Sequence, residues 1–162
     1  MQPFFFVSTI LHGIVFDNIF DIDQAMREIR KYKPDIVGLS GLITPSLNEM
    51  VKVAEELKHQ NINIPLLIGG ATTSRLHTAL KILPKNLGPT IHVIDASRSI
   101  HILNALINPI KKKIFVTDIK KEYSQLVDKH LKGNKPNLIT LLEARKNKKE
   151  NNIFSNTYTN IR

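Results

Sequence analysis

The sequence contains no cysteine among its 162 residues. Disulfide bonds, thiolate metal sites and thiol nucleophiles are therefore excluded, which agrees with a reducing compartment. No apolar run reaches the roughly 18 residues that a membrane-spanning helix needs. The apolar N-terminal stretch also lacks the basic segment and the small-residue cleavage site of a signal peptide. These absences predict a cytoplasmic protein that makes no membrane contact.

Signatures of catalysis are also missing. The sequence has no G-x-S-x-G elbow and no Walker motif, and IGGATTS does not have the spacing of G-x-G-x-x-G. None of the six histidines pairs with another at helical ligand spacing beside a carboxylate, so no zinc site is expected. His77, His92 and His101 are interpreted as structural or surface residues. We therefore predict neither catalytic nor metal-ligating residues.

Positive charge is in excess, and it is unevenly placed. The net charge is +9, yet residues 1–110 hold 10 basic and 9 acidic residues, whereas residues 111–150 hold 12 and 5. One interpretation is a solvated, lysine-rich extension, and the other is a surface for an acidic partner or nucleic acid. The run INPIKKKIF contains a single aromatic residue, so nucleic acid is the less favoured partner.

Helical and strand patterns alternate along residues 20–108. The strand patterns are DIVGLS, IPLLIGG and TIHVIDAS, and the helical patterns are FDIDQAMREIRKYKPD, SLNEMVKVAEELKHQ, TTSRLHTALKIL and SRSIHILNALI. Asp21 is predicted to cap the first helix, and Ser46 with Glu49 fits a capping box at the second. Nearly continuous apolar strands between helices predict an α/β fold with a parallel sheet covered on both faces.

The carboxyl ends of the three predicted strands carry small and hydroxyl-bearing residues. Ligands of such sheets bind at this edge, where small residues allow close approach and hydroxyls supply hydrogen bonds. Ser46, Ser74 and Ser97 have a second interpretation as ordinary helix N-caps. The shared position favours a ligand shelf made of the following residues: Ser40–Ser46, Gly69–Ser74 and Asp95–Arg98.

Three strings carry a resemblance to a known family. DIVGLSGLITPSLNEMVKVAEEL, IPLLIGGATTSRLHTALKI and GPTIHVIDASRSI closely resemble the cobalamin-binding domain of cobalamin-dependent methionine synthase. The pair Ser40-x-Leu42 and Gly69-Gly70, with 26 residues between, looks like the shared signature of B12 domains that bury the nucleotide tail. The match runs from about residue 22 to residue 108 and continues more loosely beyond.

The resemblance implies a flavodoxin-like domain with cobalamin, in its methylcobalamin form, lying over the strand ends. Ser40 and Leu42 carry the signature, and Ser40 would hydrogen-bond the buried base, while Thr44 would contact the corrin side. Ser46 matches a serine that supports the cobalt-ligating histidine through an aspartate. Gly69 and Gly70 would leave room for the nucleotide tail, so Gly70→Val is expected to block it. Ala96 would line the same pocket.

The sequence departs from the family at its N-terminus. The histidine of the family motif D-x-H-x-x-G, which ligates cobalt from below, would fall before residue 1, and His12 does not match the motif. The family's first strand is missing too, which predicts a gap between the strands near residues 14–16 and 35–40. FFFVSTIL could fill that gap as a strand, or it could be the remnant of a helix. A chain with such a gap is expected to be a fragment that is marginally stable, oligomeric or dependent on a partner.

Together these observations predict three segments. Residues 1–110 form the cobalamin-binding α/β domain, residues 111–150 a basic helical extension and residues 151–162 a disordered tail. The expected function is that of a cobalamin-carrying module for methyl transfer from methyltetrahydrofolate to homocysteine, which alone is not catalytically competent. Its expected partners are cobalamin and either the missing domains or a second copy. The alternative is a non-catalytic remnant that binds no B12.

Overall fold

The sheet and its helices lie in the part of the chain that the computed structural model describes, residues 4–7, 12–17 and 21–133. The strands are β1 (Phe4–Val7), β2 (His12–Asp17), β3 (Ile36–Ser40), β4 (Leu66–Gly69) and β5 (Thr90–His92). The helices are α1 (Ile22–Tyr32), α2 (Pro45–His59), α3 (Arg75–His77), α4 (Ala96–Ile107) and α5 (Pro109–Gly133). A π-helical turn (Thr78–Ile82) and a 3₁₀ turn (Leu83–Lys85) continue α3.

The strands are ordered β1-β2-β3-β4-β5 across one sheet. Strands β2 to β5 are parallel, and β1 is antiparallel to β2. Helical segments connect the parallel strands, as parallel pairing requires, and helices cover the sheet. The predicted flavodoxin-like α/β class, with a parallel sheet and flanking helices, is confirmed.

The predicted gap in the sheet is wrong. Strand β2 pairs directly with β3, from Gly13 opposite Ile36 to Asp17 opposite Ser40. Since these backbone groups bond each other, the described strands leave no unpaired position between β2 and β3. FFFV does form a strand, β1, but this strand lies outside β2 at the edge of the sheet.

Local signals at α1 agree with the structure. Asp21 caps the helix, because its carboxylate accepts a hydrogen bond from the Gln24 backbone N–H at 2.9 Å. The helix ends at Lys33, which takes a left-handed conformation with φ of 45°. The apolar face of α1, with Ala25, Met26 and Ile29, is buried.

Alternate strand residues supply two cores, one on each face of the sheet. The face toward α1 and α2 buries Ile14, Phe16, Val37, Leu39, Leu66 and Ile68. The face toward α4 and α5 buries Ile36, Leu67, Ile91 and Val93. Each fully buried side chain of this size contributes roughly 1.5–3 kcal/mol. The two cores hold helices against both faces and leave the strand ends accessible.

Helix α5 closes the β5 edge of the sheet. The buried Tyr123 hydroxyl accepts a hydrogen bond from the His92 backbone N–H at 2.8 Å, and Glu122 pairs with Arg75 at 2.6 Å. The predicted boundary between the α/β domain and the basic extension, at residue 110, stays a prediction. The predicted end of that extension at residue 150 stays a prediction as well. Residues 134–150 and the predicted tail 151–162 lie outside the described residues. None of the described helices combines the length and the apolar character needed to cross a bilayer.

Candidate functional site

The loops that follow β3 and β4 are joined through their backbones. The Gly41 N–H donates to the Gly69 carbonyl at 2.9 Å, and the Gly41 carbonyl accepts from the Thr72 hydroxyl at 3.0 Å. Gly70 has φ of +102°, and a Cβ there would lie 2.3 Å from the Gly41 carbonyl oxygen. Gly70 is therefore required by the contact between the two loops. The substitution Gly70→Val would strain this contact, so it is a poor test of room for a ligand.

A cleft of about 300 Å³ opens at the same edge, between the sheet and α4. We call it the sheet cleft. Its strand residues are Val15, Gly38, Leu39, Ser40, Leu67 and Gly69, together with Val93 just after β5, and its helix residues are Ser99 and Leu103. None of these nine residues is charged, and most are apolar. A neutral, largely apolar cleft with two hydroxyls suits a planar aromatic group that makes few hydrogen bonds.

Two glycines shape the wall of the sheet cleft. A Cβ on Gly38 would lie 2.9 Å from Val15 Cγ2, so a larger residue would push Val15 aside. A Cβ on Gly69 would meet only the Val93 carbonyl oxygen, at 3.6 Å, which is an ordinary contact. Gly69 therefore keeps space open without being required by the backbone. Of the two predicted glycines, Gly69 lines the cleft and Gly70 does not.

Of the other predicted residues, Ser40 belongs to the lining, whereas Leu42, Thr44 and Ser46 do not. Ser40 is in the lining, at the last position of β3. Leu42 is 63% exposed in the loop after β3, and Ile43 beside it is 43% exposed, so two large apolar side chains face solvent at the sheet edge. Thr44 is exposed and makes no side-chain capping bond. The side chain of Ala96 lies outside the description.

The predicted capping box of Ser46 and Glu49 is wrong. Helix α2 already begins at Pro45, with Thr44 at the N-cap position, so Ser46 lies inside the first turn. Its side chain is fully buried, and its hydroxyl has no hydrogen-bond partner in the described part of the chain. Glu49 instead contacts Lys52 Nζ at 2.9 Å.

The other two serines with an N-cap interpretation differ from each other. Ser74 caps α3, because its hydroxyl accepts from the His77 N–H at 3.1 Å. Ser97 is not a cap, since Asp95 has that position and accepts from the Arg98 N–H at 3.0 Å. Hydrogen bonds from the Ser97 hydroxyl and the Arg98 N–H lower the pKa of Asp95. Asp95 therefore stays ionised at the start of α4.

His92 lies at the end of β5 and is half-buried. The Thr73 hydroxyl donates to the Gly70 carbonyl at 2.9 Å, so at 3.1 Å from His92 Nε2 it acts as acceptor. We therefore assign the proton of His92 to Nε2, which leaves Nδ1 buried and without a partner among the described residues. Burial and then the nearby Arg75 lower the pKa of His92, and a bond to Thr73 opposes them.

His77 has a lowered pKa as well, mainly through burial and secondarily through Lys81. Across the described residues, no three histidines or carboxylates come together as a metal site. The side chain of His12 is outside the description.

Sequence reasoning missed most of the cleft lining. Val15, Gly38, Leu67, Ser99 and Leu103 were not predicted as site residues. One signal was available, because a glycine inside the strand pattern DIVGLS marks a place where another group approaches closely. Val15 and Leu103 carry no such signal, since apolar residues in a strand and a helix are interpreted first as core.

One protein-family model matches part of the chain. Residues 7–82 match the family described as B12 binding domain. The matched segment contains β2, β3 and β4, and with them Ser40 and Gly69 of the sheet cleft. The match supports a cobalamin-binding domain in this part of the chain. The same match supports cobalamin as the ligand of this domain.

Proposed function

We propose that the chain holds cobalamin in the sheet cleft and serves as the cobalamin-carrying part of a cytoplasmic methionine synthase. One observation carries the proposal: a neutral cleft of about 300 Å³ lies at the carboxyl ends of parallel strands, and six of its nine lining residues belong to the matched segment. Sites for small molecules measure roughly 300–1,000 Å³, so the cleft can take one aromatic part of a larger ligand. In such sheets ligands bind at this edge.

The residues around the cleft have separate proposed tasks. Ser40 would donate a hydrogen bond to a nitrogen of the buried dimethylbenzimidazole, and Gly69 would leave room for the nucleotide tail. The exposed side chains of Leu42 and Ile43 offer apolar surface to the corrin, with the Thr44 hydroxyl beside them. Burial of these exposed apolar groups would favour binding by roughly 25 cal/mol per Å².

Two further predicted residues contribute less directly. Ala96 is proposed to lie beside the cleft at the start of α4. Ser46 is buried near this edge and would support the site through packing. No described residue is proposed to ligate cobalt.

The chemistry of methyl transfer from methyltetrahydrofolate to homocysteine is supplied by methylcobalamin when it is bound. The residues of this chain bind and orient the cofactor, and the apolar cleft keeps water from its base. Binding of the two substrates is assigned to other domains or to a second copy of the chain. The chain alone is therefore not expected to turn over.

The direct test is binding of methylcobalamin to the purified full chain. We expect the visible corrin spectrum to co-elute with the protein in gel filtration. A protein fraction without corrin absorbance would contradict the proposal and favour the alternative, a remnant of the fold that binds no B12.

A variant that fills the cleft tests the placement of the tail. Gly69→Leu puts a side chain into the sheet cleft at a position where the backbone does not require glycine. We expect affinity for methylcobalamin to fall at least about tenfold, which corresponds to about 1.4 kcal/mol. The matched control is Gly133→Leu, because no atom of the described residues lies within 4 Å of the added Cβ. Equal affinity of the two variants would exclude the cleft as the tail site.

A further inference from the structure

A second and larger cavity lies beside the edge strand β5. Its volume is about 570 Å³, and it is bounded by α4 and α5. We call it the β5–α5 pocket. It shares no lining residue with the sheet cleft. It is therefore available to a ligand of its own.

One wall of the β5–α5 pocket is apolar. It is formed by Ile91, Ile94, Ile102, Phe115 and Ile119. Ile94 is 55% exposed, so a large apolar side chain faces solvent at this pocket. Such a wall favours a ligand with an aliphatic or aromatic body.

The polar lining consists of four nitrogen-bearing side chains and of Ser97, whose hydroxyl donates to Asp95. Arg75, Arg98, His92 and His101 line the pocket, and none of its lining residues is acidic. Arg98 Nε lies 3.5 Å from Asp95, and Arg75 uses one terminal nitrogen for Glu122. A guanidinium has five N–H donors, so both arginines keep further donors for an anion.

We propose that the β5–α5 pocket binds a small amphiphilic anion, with a carboxylate or phosphate end group on the arginines and an apolar body on the isoleucine wall. Asp95 and Glu122 partly offset the positive charge of the arginines, so a bare inorganic anion gains little binding free energy from them. Ile94 on the apolar wall is exposed to water, so a neutral apolar molecule gains little binding free energy there either. The ligand needs both parts.

The test compares four probes by titration calorimetry on the full chain. Octanoate and octyl phosphate combine an apolar body with an anion, whereas octanol and inorganic phosphate each lack one part. We expect the two amphiphiles to bind and the two single-feature probes to bind far more weakly. Whichever of octanoate and octyl phosphate binds more tightly shows whether the pocket prefers a carboxylate or a phosphate. Equal binding of octanol and octanoate, or of phosphate and octyl phosphate, would overturn the proposal.

A matched pair of arginine variants locates the anion. Arg98→Gln removes the charge inside the pocket, and Arg27→Gln removes a similar charge outside it. Both arginines are exposed and pair with the aspartate that caps their helix, Asp95 and Asp21 respectively. We expect Arg98→Gln to lower the affinity for octanoate about five- to tenfold and Arg27→Gln to leave that affinity unchanged. An equal loss in both variants would show nonspecific charge attraction and sink the proposal.

A second pair tests the apolar wall. Ile94→Ser should weaken octanoate several-fold, whereas Ile110→Ser, at an exposed isoleucine that does not line the pocket, should not. Equal effects of the two variants would contradict the placement. Gly69→Leu in the sheet cleft is expected to leave octanoate binding intact, so this proposal and cobalamin binding can fail independently.

Discussion

At the scale of single residues, the Tyr123 hydroxyl connects helix α5 to strand β5. This hydroxyl is the partner of the His92 backbone N–H at the outer side of β5. Burial raises the pKa of Tyr123, and the bond from His92 opposes this shift. The phenol therefore stays neutral and keeps its hydrogen bond at physiological pH.

Tyr123→Phe should lower the free energy of unfolding. The His92 N–H would lose its partner in a partly buried position, which costs about 1–3 kcal/mol. Urea denaturation measures the change. The exposed Tyr32→Phe serves as control and should shift stability by less than about 0.5 kcal/mol. Equal effects in the two variants would mean that the hydroxyl of Tyr123 does not hold the edge.

The half-buried ring of His92 predicts how the stability of the folded chain depends on pH. Its pKa is lowered in the folded chain, so the unfolded chain binds protons first as the pH falls. The stability that it contributes is fully present above about pH 6.5 and is lost as the pH drops toward the folded pKa. His77 acts in the same direction, so the loss is shared.

Urea midpoints at about pH 7.5 and pH 5.5 check this expectation. We expect a lower midpoint at the acidic pH, and a smaller decrease in His92→Gln. The exposed His59→Gln should behave like the original sequence. A decrease that is unchanged in His92→Gln would contradict the role of this side chain.

At the scale of elements, the start of α2 contains a buried hydroxyl that has no hydrogen-bond partner among the described residues. Ser46 occupies the first turn with its side chain inside, which costs free energy because the hydroxyl has left water. Ser46→Ala removes that cost and has better helix propensity. We expect unchanged or higher stability in urea. A loss above about 1 kcal/mol would show that the hydroxyl has an energetic role in the folded chain.

The helix after β4 shows why element types are harder to predict than element positions. The apolar spacing in TTSRLHTALKIL predicts one short helix. Pro84 has no N–H, and its ring would clash with the carbonyl of Leu80 four residues earlier. The chain therefore widens into a π-helical turn, with the Leu83 N–H bonded to the Thr78 carbonyl, and then tightens into a 3₁₀ turn.

At the scale of the whole molecule, periodicity predicted the α/β class and the strands β3, β4 and β5, because burial of alternate or continuous apolar residues depends on local sequence. It also predicted Ser40 and Gly69 at the sheet edge. The direct pairing of β2 with β3 could not be predicted, since which strands become neighbours depends on contacts between distant segments. For the same reason the lining from Val15 and Leu103 was missed, as their side chains meet the cleft only after the sheet and α4 have packed.

The hydrogen bond between Tyr123 and β5 has a consequence for assembly. One side of the sheet is occupied by a helix, while the described strands end on the other side with β1. Sheet extension by an added strand is thus one-sided. Two copies that met through β1 would each use the free edge of the described sheet, so growth by strand pairing would stop at a closed pair.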